Sequence, residues 1–149
     1  MNFKQKIYEQ YLQLVNDKII SLQAILDELS DSAKNESKST AGDKHETALA
    51  MLQIEQENTR AKYKEAAEQK NQLERIDIHS SSAKIIKGSL IKTDKGYLFL
   101  SIALGKIIID GVAVTSLSTL SPLGAKLLGF QVSDVVEINR MKYLIEEIS

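Results

Sequence analysis

Few side chains in this sequence can do chemistry, and two of them stand close together. Asp43 and Glu46 lie in the segment Gly42-Asp43-Lys44-His45-Glu46-Thr47-Ala48. As a cap, Asp43 accepts a backbone N–H at the start of a helix, and Glu46 reaches back in a capping box. Both charges also suit the positive end of a helix dipole. As ligands, the pair offers the oxygen donors that Mg²⁺ prefers. Two carboxylates alone hold that ion weakly, because it keeps several waters. A second protein supplying the remaining ligands would make a two-metal phosphoryl-transfer site of them. A carboxylate has more than one acceptor site, so capping and ligation are compatible.

Most other chemistries are excluded. The sequence has no cysteine, so disulfides, thiolate metal sites and cysteine nucleophiles are absent. His45 and His79 are the only histidines and read as solvated surface residues. No nucleophile–base arrangement, Gly-rich phosphate loop or His-x-x-x-His pair is present. With 19 Lys/Arg against 20 Asp/Glu and a net charge of -1, the chain cannot coat nucleic acid by charge alone. Its longest apolar stretch, Gly96 to Gly105, falls short of the roughly 20 residues that span a bilayer. Lys4, Lys6 and Glu9 stud the first residues, unlike a secretory signal. The expectation is a soluble, cytoplasmic protein of 149 residues with no membrane association.

The elements that must position the acid pair change character near residue 77. One of the seven glycines, Gly42, precedes that point; the other six and the only proline, Pro122, follow it. Tyr8, Leu12, Val15, Ile19, Leu22, Leu26 and Leu29 recur in steps of four and three, an unbroken heptad seam. A more polar seam runs through Leu49, Leu52, Gln56, Thr59, Tyr63, Ala66, Lys70 and Leu73. Ser30 to Gly42, rich in Ser, Asn, Lys and Asp, reads as the loop between them. Two helices so joined predict an antiparallel hairpin, its first helix of about 28 residues on the order of 40 Å long. Parallel dimerisation through the first seam is the alternative.

The second half is strand-like. Ile85–Ile91, Tyr97–Ala103 and Lys106–Ile109 are short apolar runs, with reversals at Asp94-Lys95-Gly96 and Asp110-Gly111. Ser121-Pro122-Leu123 opens a short helix that Gly129 caps. Strands at 134–138 and 141–146 close the chain. The fold class is therefore an α+β two-module protein. It comprises a helical coiled-coil hairpin over 1–76 with its tip at about 30–46, a linker over 77–82, and an antiparallel sheet with a short helix over 83–149.

The run Ser121-Pro122-Leu123-Gly124-Ala125-Lys126-Leu127-Leu128-Gly129 is followed by Val132, Asp134-Val135-Val136-Glu137 and Tyr143-Leu144-Ile145-Glu146-Glu147-Ile148. This tail resembles the C-terminal domain of the GreA/GreB family of bacterial transcript cleavage factors. Gly42-Asp43-x-x-Glu46-x-Ala48 resembles that family's hairpin-tip motif. The resemblance implies an FKBP-like sheet domain that docks on the rim of the RNA polymerase secondary channel. It also implies a hairpin that reaches down the channel to the active site. It makes Asp43 and Glu46 the tip acids and Mg²⁺ ligands, in a site completed by the polymerase. By the same resemblance the docking contacts lie within residues 117–130, with Ser121, Pro122, Leu123 and Gly124 in them, although Leu120, Leu123, Leu127 and Leu128 read mostly as core. The implied protein is a monomer and not an enzyme itself. It has no tightly bound cofactor, shares Mg²⁺ with RNA polymerase and meets the transcript RNA 3′ end only indirectly. Thr47 and Leu49 stand where the family carries Asn and an aromatic residue. Two other readings stand beside this one: the same resemblance also allows a non-cleaving secondary-channel inhibitor, and the heptad seam allows a coiled-coil dimerisation or adaptor module. A prolyl isomerase is suggested by the implied fold alone, with Tyr97, Phe99, Phe130 and Tyr143 as its aromatics.

Overall fold

The computed structural model describes the backbone of residues 2–37 and 43–149, and their side chains apart from residues 37 and 43–45. Helix α1 spans Phe3–Ser37 and α2 spans Asp43–Glu74; β1 is Leu90–Thr93, β2 Gly96–Ser101, β3 Gly105–Ile109 and β4 Val112–Ser118. Helix α3 is Pro122–Leu127, followed by β5, Val135–Ile138, and β6, Met141–Ile148. The chain divides into two compact units, one of Gln13–Asn71 and the other of Met1–Leu12 with Gln72–Ser149.

In the first unit α1 and α2 run antiparallel. Lys18 Nζ donates to Gln69 Oε1 at 3.4 Å, and Leu22 lines a small cavity with Lys62 and Ala66. Val15 and Leu22 of one heptad seam, and Thr59 and Ala66 of the other, are buried, while the intervening seam positions are half-buried. The small Ala66 lets the helices approach closely. Thr59 satisfies its buried hydroxyl by donating to Glu55 O at 2.8 Å. The first helix runs further than expected, since Ser30–Ser37 are helix rather than loop. A nucleated helix gains one hydrogen bond per added residue, and the Ser and Asp penalties of a few tenths of a kcal/mol do not stop it. Residues 38–42, the rest of the expected loop, lie outside the described residues.

The second unit is built on a six-stranded sheet of order β3-β4-β2-β1-β6-β5. The sheet is mixed rather than wholly antiparallel, because β2 and β4 pair in parallel, Tyr97 opposite Val114 through Ser101 opposite Ser118. The connection from Ser101 to Gly105 can reach about 14 Å. That exceeds the roughly 9.5 Å of two strand spacings, so β3 lands one slot away and β4 returns into the gap. The expected strand at Ile85–Ile91 is confined to Leu90–Thr93. Gly88, at φ +96°, turns the chain there beneath Asp77 and Ile76, where a Cβ would meet both at 3.2 Å.

Both faces of β2 are covered, which explains its nearly continuous apolar run. Leu98 and Leu100 join Ile85, Ile91, Leu117, Leu127, Val136 and Ile145 in one core. On the opposite face Tyr11 stacks on Phe99 with ring centroids 6.1 Å apart. Phe3 meets Tyr97 edge-on at 5.1 Å. The first turns of α1 thus complete the sheet unit.

Candidate functional site

Helix α2 begins at Asp43, which puts Asp43 and Glu46 in its first turn. There the free N–H groups and the helix dipole favour carboxylates. Glu46 is exposed. The Asp43 and His45 side chains lie outside the described set, so the capping box does too. Among the described residues no cluster of three or more His, Asp or Glu side chains is placed to hold a metal ion. The chain's own described residues therefore do not build a Mg²⁺ site, and two acids would need ligands from elsewhere.

The second candidate segment shapes the end of β4. Ser121 is the N-cap of α3. Its Oγ accepts from Gly124 N at 3.1 Å and donates to Ser118 O at 2.7 Å, while its own N donates to the same carbonyl at 3.1 Å. Gly124 packs so closely that a Cβ would fall 1.9 Å from Ser118 O. Pro122 occupies the first turn, where no N–H is required, and Gly129 turns the chain after it at φ +87°. Of the four residues, Pro122 is exposed, Ser121 and Leu123 are half-buried and Gly124 is buried. The neighbouring leucines divide: Leu127 is fully buried, whereas Leu128 is 43% and Leu120 92% exposed.

Ser121, Pro122 and Leu123 form one wall of a groove of about 490 Å³. Tyr97, Leu98, Thr115, Leu117, Met141 and Tyr143 also line it, with Lys95 and Lys106. Lys95 Nζ lies 5.4 Å from the Tyr143 ring centroid and also reaches Lys142 O. The groove is thus mostly apolar, with two lysines among its lining residues. Of the four aromatics named from the sequence, Tyr97 and Tyr143 line this groove. Phe99 packs on Tyr11 instead, and Phe130 against the core.

Two buried groups of α1 escaped the sequence reading. Tyr11 is fully buried with its hydroxyl 2.7 Å from Gly105 O and 3.1 Å from Val114 O. Burial pushes this phenol up to about 12. Lys4 is 6% exposed, and burial lowers its pKa against a smaller opposing pull from Asp77. No sequence signal marks Lys4, since a lysine in a helical first turn is ordinarily solvated. Asp77 itself is held below the usual carboxylate range by hydrogen bonds from the Ser80 hydroxyl and the backbone N–H groups of His79 and Ser80.

No protein-family model matches this chain, and no curated protein matches it. Among solved structures it is similar to that of the transcription factor Gfh1, at 18% identity over 96% of this chain and 91% of that one, with a TM-score of 0.32. At that identity and TM-score the likeness is too slight to decide a family. Among the described residues no helix is long and apolar enough to cross a membrane.

Proposed function

We propose that this protein is a transcription elongation factor that binds RNA polymerase through its secondary channel and stimulates cleavage of backtracked transcripts. The observation that carries this reading is the pair of long antiparallel helices, of 35 and 32 residues, joined at the acid pair. A slender two-helix element can enter a channel that a globular domain cannot. The first turn of α2 holds Asp43 and Glu46 where their charge costs least, and the Glu46 side chain is exposed. The sheet domain docks through the groove walled by Ser121, Pro122 and Leu123, with Gly124 holding that wall against β4. The protein acts as a cofactor of the polymerase's own hydrolytic activity. Mg²⁺ shared with the polymerase supplies the activation of water; Asp43 and Glu46 add carboxylate oxygens to a ligand set that the polymerase completes.

A second reading is a non-cleaving regulator of the same channel, favoured by Thr47 and Leu49 in place of the family's Asn and aromatic residue. The adaptor reading has less support, because Val15 and Leu22 of the heptad seam are already buried within the chain. Docking is tested by fluorescence polarisation of the labelled full chain against core RNA polymerase. Saturable binding that weakens in Pro122→Asp supports it. No binding, or equal binding by a folded Pro122→Asp, contradicts docking through this groove.

A further inference from the structure

Lys4 is the one charged side chain buried among the described residues. An ammonium carries three N–H donors, yet Lys4 Nζ has a single partner there, Ser80 O at 3.3 Å. Asp77, whose charge acts on Lys4, is already committed. Its Oδ1 accepts from His79 N at 2.9 Å and Ser80 N at 3.2 Å, and its Oδ2 from the Ser80 hydroxyl. A buried charge short of acceptors is costly, and an anionic oxygen beside Nζ would offset that cost.

The space for such an oxygen exists. Lys4 lines a cavity of about 320 Å³ whose apolar surface comes from Phe3, Ile78, Leu90 and Tyr97. At roughly 30 Å³ for each water-sized group, it holds about ten of them. We infer that this cavity binds a small organic monocarboxylate, its charged end on Lys4 Nζ and its apolar body against Phe3, Ile78, Leu90 and Tyr97. Glu147 also lines the cavity and Asp77 acts on Lys4, so two carboxylates oppose every added negative charge, and a dianion such as phosphate is disfavoured more than a monocarboxylate. His79 lines the same cavity and adds a ring N–H donor. This site is independent of the polymerase reading, which uses neither Lys4 nor this cavity.

The test is an amide NMR titration of the full chain with sodium benzoate at constant ionic strength, with benzyl alcohol and inorganic phosphate as parallel arms. Saturable shifts confined to residues around Lys4, 78–81 and Leu90 are expected, with a Kd on the order of 1 mM for a ligand of this size. Benzyl alcohol, phosphate and the Lys4→Met protein should each bind at least about tenfold more weakly, because the charge-assisted contact is lost or opposed. Shifts that do not saturate by about 20 mM, or that map to another surface, overturn the site. Equal binding by folded Lys4→Met overturns the role of the ammonium. If that variant does not fold, benzoate and benzyl alcohol decide on the unmodified protein, and equal affinity overturns the proposal. Phosphate binding as tightly as benzoate overturns the ligand class.

Discussion

Replacing Gly124 by alanine puts one methyl group where the chain passes closest to any of the described glycines. Its Cβ would stand 1.9 Å from Ser118 O and 2.8 Å from Ser118 C. Ordinary contact begins beyond 3 Å, so an atom must move by more than an ångström. Neither obstacle is a flexible side chain. Both belong to the backbone at the end of β4, whose neighbour Leu117 is in the core. Helix α3 must therefore lift away, which breaks the two hydrogen bonds that Ser121 sends to Ser118 O and loosens Leu127, which is fully buried. Overpacking costs about 1–3 kcal/mol, and each lost hydrogen bond adds about 1 kcal/mol. The expected destabilisation is about 3–5 kcal/mol, or a melting temperature lower by roughly 6–20 °C at this chain length. With no tryptophan in the sequence, tyrosine fluorescence and near-ultraviolet circular dichroism follow the sheet unit through a urea titration. Because Ser121→Ala acts through the same carbonyl, the double variant should lose less than the sum of the single ones. A Gly124→Ala protein within about 0.5 kcal/mol of the parent would refute the close-packing argument, and with it the placement of the groove wall.

Tyr11→Phe should cost about 1–3 kcal/mol by leaving the Gly105 and Val114 carbonyls short of a donor, read by urea unfolding. The unmodified protein should be fully stable below pH 10 and lose stability as the pH rises towards about 12, because the folded state holds the Tyr11 proton more tightly than the unfolded chain does. That loss should be smaller in Tyr11→Phe, where Tyr8, its phenol also pushed up by burial, still contributes. The β5–β6 turn holds Asn139 at φ 51° and Arg140 at φ 67°, so Arg140→Gly should stabilise the unit by up to about 1 kcal/mol, seen as a raised urea midpoint.

The helices were legible because a heptad seam is a strong periodic signal, and burial of Val15, Leu22, Ala66 and Leu73 follows it. The end of α1 was not legible. Ser30 to Ser37 have turn-forming side chains, and only propagation from the helix behind them keeps them helical. In the sheet, the Asp110-Gly111 reversal was visible, and both residues have positive φ as a tight hairpin requires. Its second strand, β4, was not named, because Thr115, Ser116 and Ser118 interrupt the apolar pattern. Two of these serines and threonines carry structure: Ser116 is buried with its hydroxyl on Ile102 O at 2.6 Å, and Ser118 O anchors α3. The parallel β2–β4 pairing is a property of the crossover and has no local signature. The groove joins Tyr97 to Tyr143, residues far apart in sequence, and Lys4 is buried beside residues 78–81, more than seventy positions along the chain. Spacing along the chain singled out Asp43 and Glu46 as candidates and a family resemblance singled out Ser121–Gly124, while the two cavities of the sheet unit depended on tertiary packing.

The most direct test of the proposed function is RNA cleavage in a stalled, backtracked elongation complex supplied with Mg²⁺, comparing the unmodified protein with Asp43→Asn and Glu46→Gln. The account predicts that the unmodified protein shortens the transcript from its 3′ end. Both variants should lose that activity by about 100-fold or more while polymerase binding and helicity persist. Equal cleavage by the two variants, or binding by the unmodified protein that blocks cleavage, would contradict it.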